Sequence, residues 1–189
     1  MNVKAIGILV VLWVSTMVSS AMADQHKLNI SEDALVKSIA VSASELSDST
    51  GLSYVGGIVQ QDIIAGYLQQ LQAIETDAFK TLRAGQANRD HGKFHVTLIN
   101  PYEIKEVSEQ QVNALLASGR QIKFQVKGLG RVIKDQGKAY FVVLSSEQAD
   151  DLRKAFGLAP KDFHITLGFS PSDIYGVSKD ESTLVKVSP

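Results

Sequence analysis

Hydrophobic and polar positions along the chain follow two periods. Between Gln61 and Arg83 the apolar residues Ile64, Tyr67, Leu68, Leu71, Ile74, Phe79 and Leu82 recur at steps of mostly three and four. That spacing predicts one amphipathic helix, with Gly85 suited to its end. Ser108 with Gln111 forms a capping box ahead of Val112, Leu115 and Leu116, and Gly119 stops this second helix. Ser145 with Gln148 repeats the signal before Ala149, Leu152 and Phe156, stopped at Gly157. Elsewhere the period is two: Ile122, Phe124 and Val126 alternate with Gln121, Lys123, Gln125 and Lys127, as in a half-buried strand. A continuous apolar run from Ala139 to Leu144 returns across Lys134–Lys138, which predicts an antiparallel hairpin. Ahead of these, Asp24–Ser53 is polar and Ser-rich, with one apolar stretch (Leu35, Val36, Ile39, Val41) that suits a short helix started at Ser31. The class these elements predict is α+β.

One pattern occurs twice. Phe94-His95-Val96-Thr97-Leu98 returns 69 residues later as Phe163-His164-Ile165-Thr166-Leu167, each copy preceded by a predicted helix. Alternate side chains of a strand share a face, so each copy sets His and Thr on one face and its apolar residues on the other. Two such strands related by a pseudo-twofold axis would bring His95, Thr97, His164 and Thr166 into one cleft, a phosphate-sized set of donors. An imidazole titrates near about 6.5, so at neutral pH one can serve as general base while the other, protonated, serves as general acid. In-line phosphoryl transfer needs a base on one side of phosphorus, an acid on the other, and donors for the non-bridging oxygens.

These paired His-x-Thr-x segments resemble the signature of the 2H phosphoesterase superfamily. Asp162 to Phe169, with Asp173 to Asp180 after it, is further similar to the branch called Swiss-army-knife 2H phosphoesterases, and the likeness extends from about Tyr54 to Leu184. The resemblance implies a bilobal duplicated fold, two antiparallel β-sheets with flanking helices around a central cleft. It implies His95 and His164 as acid and base, Thr97 and Thr166 as phosphate donors, and metal-free, cofactor-free hydrolysis of phosphodiesters, notably 2′,3′-cyclic phosphates of nucleotides or RNA ends. A catalytically inactive nucleotide or phosphate-ester binding protein is the alternative. Tyr102 and Tyr175 follow the two motif strands at loops, where a base could stack, and Lys161 and Lys179 are basic neighbours of the second motif. Tyr102, Tyr175 and Lys179 are therefore candidate substrate contacts.

Composition narrows the partners. With 19 Lys plus Arg against 20 Asp plus Glu, a net charge of −1 gives no basic face for nucleic acid held mainly by charge, although a small or end-recognised nucleotide needs only a few placed donors. Lys4, the apolar run Ala5–Val14 and the ending Ala21-Met22-Ala23 read as a secretory signal peptide over 1–23, predicting export to the periplasm or exterior without a lasting membrane anchor. Residues 24–53 then form a lead-in, 54–189 the single domain, and a monomer is expected. No cysteine is present, so an exported chain would rely on its core alone. His91, four before His95, does not make a helical zinc pair because Gly92 and a strand pattern follow. Gly128-Leu129-Gly130 lacks the third glycine of a dinucleotide loop, and no Walker loop, Gly-x-Ser-x-Gly elbow or His-Glu-x-x-His segment occurs.

Overall fold

The computed structural model describes residues 26–27 and 35–188. The expected signal peptide, and Ser31, lie outside the described residues. Its central element is one antiparallel sheet of seven strands: β2 (Ser38–Ser42), β3 (Ser44–Ser47), β4 (Ser53–Val59), β5 (Phe94–Ile99), β6 (Gln121–Lys134), β7 (Gly137–Ser145) and β8 (Phe163–Ser170). A two-residue parallel ladder joins β1 (His26–Lys27) to β9 (Val187–Ser188). Four helices complete the α+β fold: α1 (Ala65–Ile74), α2 (Phe79–Arg89), α3 (Glu109–Ala117) and α4 (Glu147–Ala155).

The strand order is β2-β6-β7-β8-β5-β4-β3. The two motif strands, β5 and β8, are thus neighbours inside one continuous sheet, and the expected pair of separate sheets in two lobes is not what forms. Strands β2 and β3 lie at opposite edges, yet only Ala43 separates them in sequence. A trans peptide link spans about 3.8 Å between Cα atoms, so the edges must come together there, and the sheet curls into a half-barrel. Gly57 on β4 marks the same approach, since a Cβ at that position would overlap the side chain of Val41 on β2. Both edge strands come from the stretch expected to hold a short helix; the apolar Ile39 and Val41 alternate with exposed or half-exposed neighbours, which is strand periodicity.

The hairpin β6–β7 forms as its pattern predicts, turning at Asp135–Gln136 with Asp135 at φ 54° and Lys134 opposite Gly137. The single helix expected from Gln61 to Arg83 is two. Glu75 ends α1, and its carboxylate accepts from Lys138 Nζ at 2.8 Å and Tyr140 OH at 2.6 Å on β7. Thr76 and Asp77 follow, residues that compete poorly for helix. Gly85 lies inside α2 rather than at its end, because a Cβ there would collide with the backbone oxygen of Phe169 as α2 presses on β8. Ser108 caps α3 as expected, accepting from Gln111 N at 3.2 Å. The cap of α4 is Ser146 rather than Ser145: its Oγ accepts from Ala149 N at 3.0 Å and donates to Lys123 O at 2.6 Å. Gln148 meanwhile accepts from Lys123 N at 2.9 Å instead of closing a box.

The core lies on the helix-covered side of the sheet. Phe94, Val96 and Leu98 of β5 and Phe163, Ile165 and Leu167 of β8 are buried there with Leu71 of α1, Leu82 of α2 and Ala149 of α4. Burying each such side chain contributes about 1.5–3 kcal/mol, so the apolar half of each motif fixes the strand that carries the polar half. Among the described residues no helix is long and apolar enough to cross a membrane.

Candidate active site

Val96 stands opposite Ile165 in the antiparallel ladder between β5 and β8. Both point into the core, so the residues on either side of them project from the other face. Antiparallel register then sets His95 across from Thr166 and Thr97 across from His164, an arrangement in which each histidine neighbours the threonine of the other motif. All four line one cavity of about 590 Å³. The sequence-predicted quartet is therefore brought together, with Thr166 buried and His95, Thr97 and His164 half-buried.

Turn chemistry aims the first motif. The N–H of Gly92 donates to Ala87 O at 2.9 Å across His91 at φ 53°, a Schellman-type close that reverses the chain from α2 into β5. It also leaves Arg89 and Asp90, at the end of α2, on the cavity wall. Arg89 meets Asp90 twice, Nε to Oδ1 at 2.6 Å and Nη2 to Oδ2 at 2.8 Å, and reaches Asp173 through Nη1. Gln86 Nε2 donates to Asp90 Oδ2 at 3.0 Å.

The two histidines sit in different surroundings. Across the ladder from His95 and Thr97 lie Ile58 and Gly56 of β4, and two residues further along that strand Tyr54 places its OH 3.2 Å from His95 Nε2. Across from His164 and Thr166 lie Val143 and Phe141 of β7, and the Phe141 ring meets the imidazole edge-on at 5.5 Å between centroids. Nδ1 of His164 is 3.4 Å from the carbonyl oxygen of Asp162. Burial pushes the His95 imidazole down to about 4; Asp90 works against that shift, while Arg89 and Lys161 add to it. His164 is pushed well below the ordinary imidazole range, again chiefly by burial, with Lys179, Lys161 and Arg89 adding to it. Burial raises the Tyr54 phenol well above its ordinary value, so its hydroxyl keeps its proton.

The remaining predicted contacts divide by exposure. Tyr102 and Tyr175 both line the cavity and are 74% and 70% exposed, so each presents a ring at the rim. Lys179 is nearly buried, with Nζ 3.2 Å from Asp173 Oδ1 and above the rings of Phe141 and Tyr175 at 5.5 and 5.9 Å. The loop bearing Tyr102 is held from behind. Asn100 Oδ1 accepts from the N–H groups of Tyr102 and Glu103, and Glu103 is clamped by the buried Arg153.

A model of the Swiss Army Knife 2H phosphoesterase domain matches residues 59–175, well over half the chain and both His-x-Thr strands. The chain belongs to this family. No curated protein and no solved structure matches it. Membership makes the chain a hydrolase acting on phosphoesters, and the converged imidazoles and hydroxyls are the groups such chemistry requires. Tyr54 and Lys179, which shape the two histidine environments, lie just outside the matched residues of this 2H phosphoesterase. Sequence reading passed over Tyr54, Arg89 and Asp90. Nothing local marks them, because Tyr54 reaches His95 only through the β4–β5 register and Arg89 reaches Asp173 only through the packing of α2 on β8.

Proposed function

We propose that the protein opens 2′,3′-cyclic phosphodiesters of nucleotides or RNA ends without a metal, using His95 and His164 as a general acid and base pair. The observation that carries this reading is the placement of both imidazoles and both threonine hydroxyls on one face across a single strand pair. The surroundings distribute the roles. Nδ1–H of His164 pointing at the Asp162 carbonyl leaves Nε2 with its lone pair, and burial, with the neighbouring cations adding to it, keeps that ring neutral, as a base requires. His95 is the ring with a carboxylate, Asp90, working against its low proton affinity. The negative charge of an arriving phosphodiester raises that affinity further, so His95 takes up its proton as substrate binds and serves as the acid. Water then attacks phosphorus and passes a proton to His164 Nε2. The bond from phosphorus to the ribose oxygen breaks, and that oxygen takes the proton of His95, leaving a phosphomonoester. Solvent resets both rings. Thr97 and Thr166 donate to the non-bridging oxygens. The tyrosines at the rim provide faces on which a nucleobase stacks.

Export through the 1–23 segment belongs to the same reading and places the substrate outside the cytoplasm, where scavenging of nucleotides fits better than RNA repair. Hydrolysis of the four 2′,3′-cyclic nucleotides in EDTA by the purified protein and by its His95→Ala/His164→Ala variant tests the chemistry. Turnover by the parent alone supports it, whereas saturable binding with no product selects a nucleotide-binding protein. Fractionation of the producing cell, with sequencing of the mature N-terminus, tests export.

A further inference from the structure

Charge on the cavity wall is unevenly compensated. Arg89 is held by Asp90 and Asp173, and Lys179 by Asp173. Asp48, at the rim, is turned into its own loop, accepting from the N–H groups of Thr50 and Leu52 and from the Thr50 hydroxyl. Lys161 lines the same wall half-buried, and among the described residues no carboxylate oxygen lies within 4 Å of its Nζ. The nearby acids are engaged elsewhere. Asp162 accepts the N–H of Lys179 at 2.9 Å, and Glu103 is taken by Arg153 at 2.6 and 3.1 Å. Of the three cations lining this cavity, Lys161 is therefore the one with no carboxylate in ion-pair contact among the described residues.

We propose that Lys161 is the cation that meets the non-bridging oxygens of the scissile phosphodiester, its unpaired ammonium fitting the cavity to a phosphodiester monoanion. The inference rests on the phosphoesterase reading of the same site. Two hydroxyls and two imidazoles that are neutral in the free protein bring no positive charge to an incoming phosphate group, and in phosphoryl transfer the phosphate's negative charge spreads over the equatorial oxygens as the bond to the leaving group breaks. An ammonium already stripped of part of its water, and not committed to a carboxylate, supplies the missing charge with little reorganisation. The placement is one-sided. Three residues before His164 stands Lys161, whereas three before His95 stands Gly92, with no side chain. Lys161 also lies close enough to both imidazoles to lower their proton affinity. Burial brings the Lys161 ammonium down to about 8, and the charged groups that act on it are Glu103, Arg153, Lys179 and Asp162.

Calorimetric binding of 2′,3′-cyclic AMP to the His95→Ala/His164→Ala protein, followed from pH 6 to 10, reads Lys161 without turnover, because a diester monoanion does not itself titrate there. The expected affinity falls above about pH 8. Lys161→Arg in that background keeps the affinity and loses the fall, and Lys161→Gln binds about tenfold more weakly at pH 7 with no pH dependence. Lys161→Gln binding within twofold of the parent, or a fall near pH 8 that persists in Lys161→Arg, overturns the proposal. Turnover by the histidine-intact protein separates the two readings. Lys161-dependent binding without turnover in the intact protein leaves Lys161 standing and removes the phosphoesterase reading. Turnover unchanged by Lys161→Gln does the reverse, and absence of both binding and turnover removes both.

Discussion

The two halves of the cavity carry the same five-residue strand and arm it differently. On the β4 side, His95 has a phenol hydroxyl on Nε2 and the Arg89–Asp90 pair beside it. On the β7 side, His164 has a phenyl edge, a backbone carbonyl on Nδ1, and the cations Lys161 and Lys179. A repeated motif thus sets the position of two like groups, and the strands next to it set how each holds a proton. The lesson is that what distinguishes the two imidazoles, and with it the proposed division into acid and base, lies in β4, β7 and the end of α2 rather than in the motifs themselves.

The largest effect that could break this comparison comes from exchanging the leaving group. On a 2′,3′-cyclic nucleotide, His95→Ala and His164→Ala should each lower kcat by about 10²- to 10⁴-fold, the range of general acid–base catalysis. On a p-nitrophenyl phosphodiester, whose leaving group needs no proton, His95→Ala should recover most of that loss while His164→Ala should not. Equal recovery of both variants would make the halves interchangeable.

Next in size is the effect of acid on stability. An unfolded chain protonates its histidine near 6.5, but folded His95 resists protonation until about 4. Between these values the unfolded state binds more protons, so stability falls as pH drops from about 6.5 to about 4 and is restored as pH rises. Thermal melts across that window should show the decline, to which the still lower His164 also contributes, and His95→Gln should make it shallower. The low-lying carboxylates Glu75 and Glu103 lose their stabilising contacts only lower, as pH falls through their depressed values. A profile unchanged by His95→Gln would mean that the ring is not held in the environment described.

A smaller effect is expected from the hydroxyl that distinguishes the two sides. Tyr54→Phe removes one hydrogen bond to His95 and should lower kcat/KM by up to about tenfold, the span of about 0.5–1.5 kcal/mol per bond. The acid-side limb of its pH profile should move, whereas Phe141→Leu on the opposite side should leave that limb in place. The smallest difference should separate the threonines. Thr97→Val, at a half-exposed position, should weaken cyclic-nucleotide turnover with an unchanged melting temperature, and Thr166→Val, deeply buried, should alter both.

The sequence carried the motif strands and their shared polar face because period two is a local property, and Phe94–Leu98 and Phe163–Leu167 show it without help from the rest of the chain. The β6–β7 hairpin and the cap at Ser108 were legible for the same reason. What escaped depends on contacts between distant segments. The break after α1 follows from Glu75 meeting Lys138 and Tyr140 of β7, and the seat of Gly85 from the backbone of β8. The expectation of two sheets failed at the β5–β8 pairing, which no periodicity announces. Within the site, Lys179 and Lys161 were equally visible as basic neighbours of the second motif, and only Asp173 tells the engaged one from the one with no ion pair among the described residues.

The pairing of β5 with β8 gives the molecule an internal gauge. Half of the proposed reacting groups come from each strand of a single ladder, so on that proposal a slip of one residue would rotate one strand's His and Thr onto the oily side and extinguish turnover. Catalysis is then a reporter of strand register, and a chain cut at the exposed Gly119, between α3 and β6, would be silent in either fragment and regain activity only when the fragments reassemble.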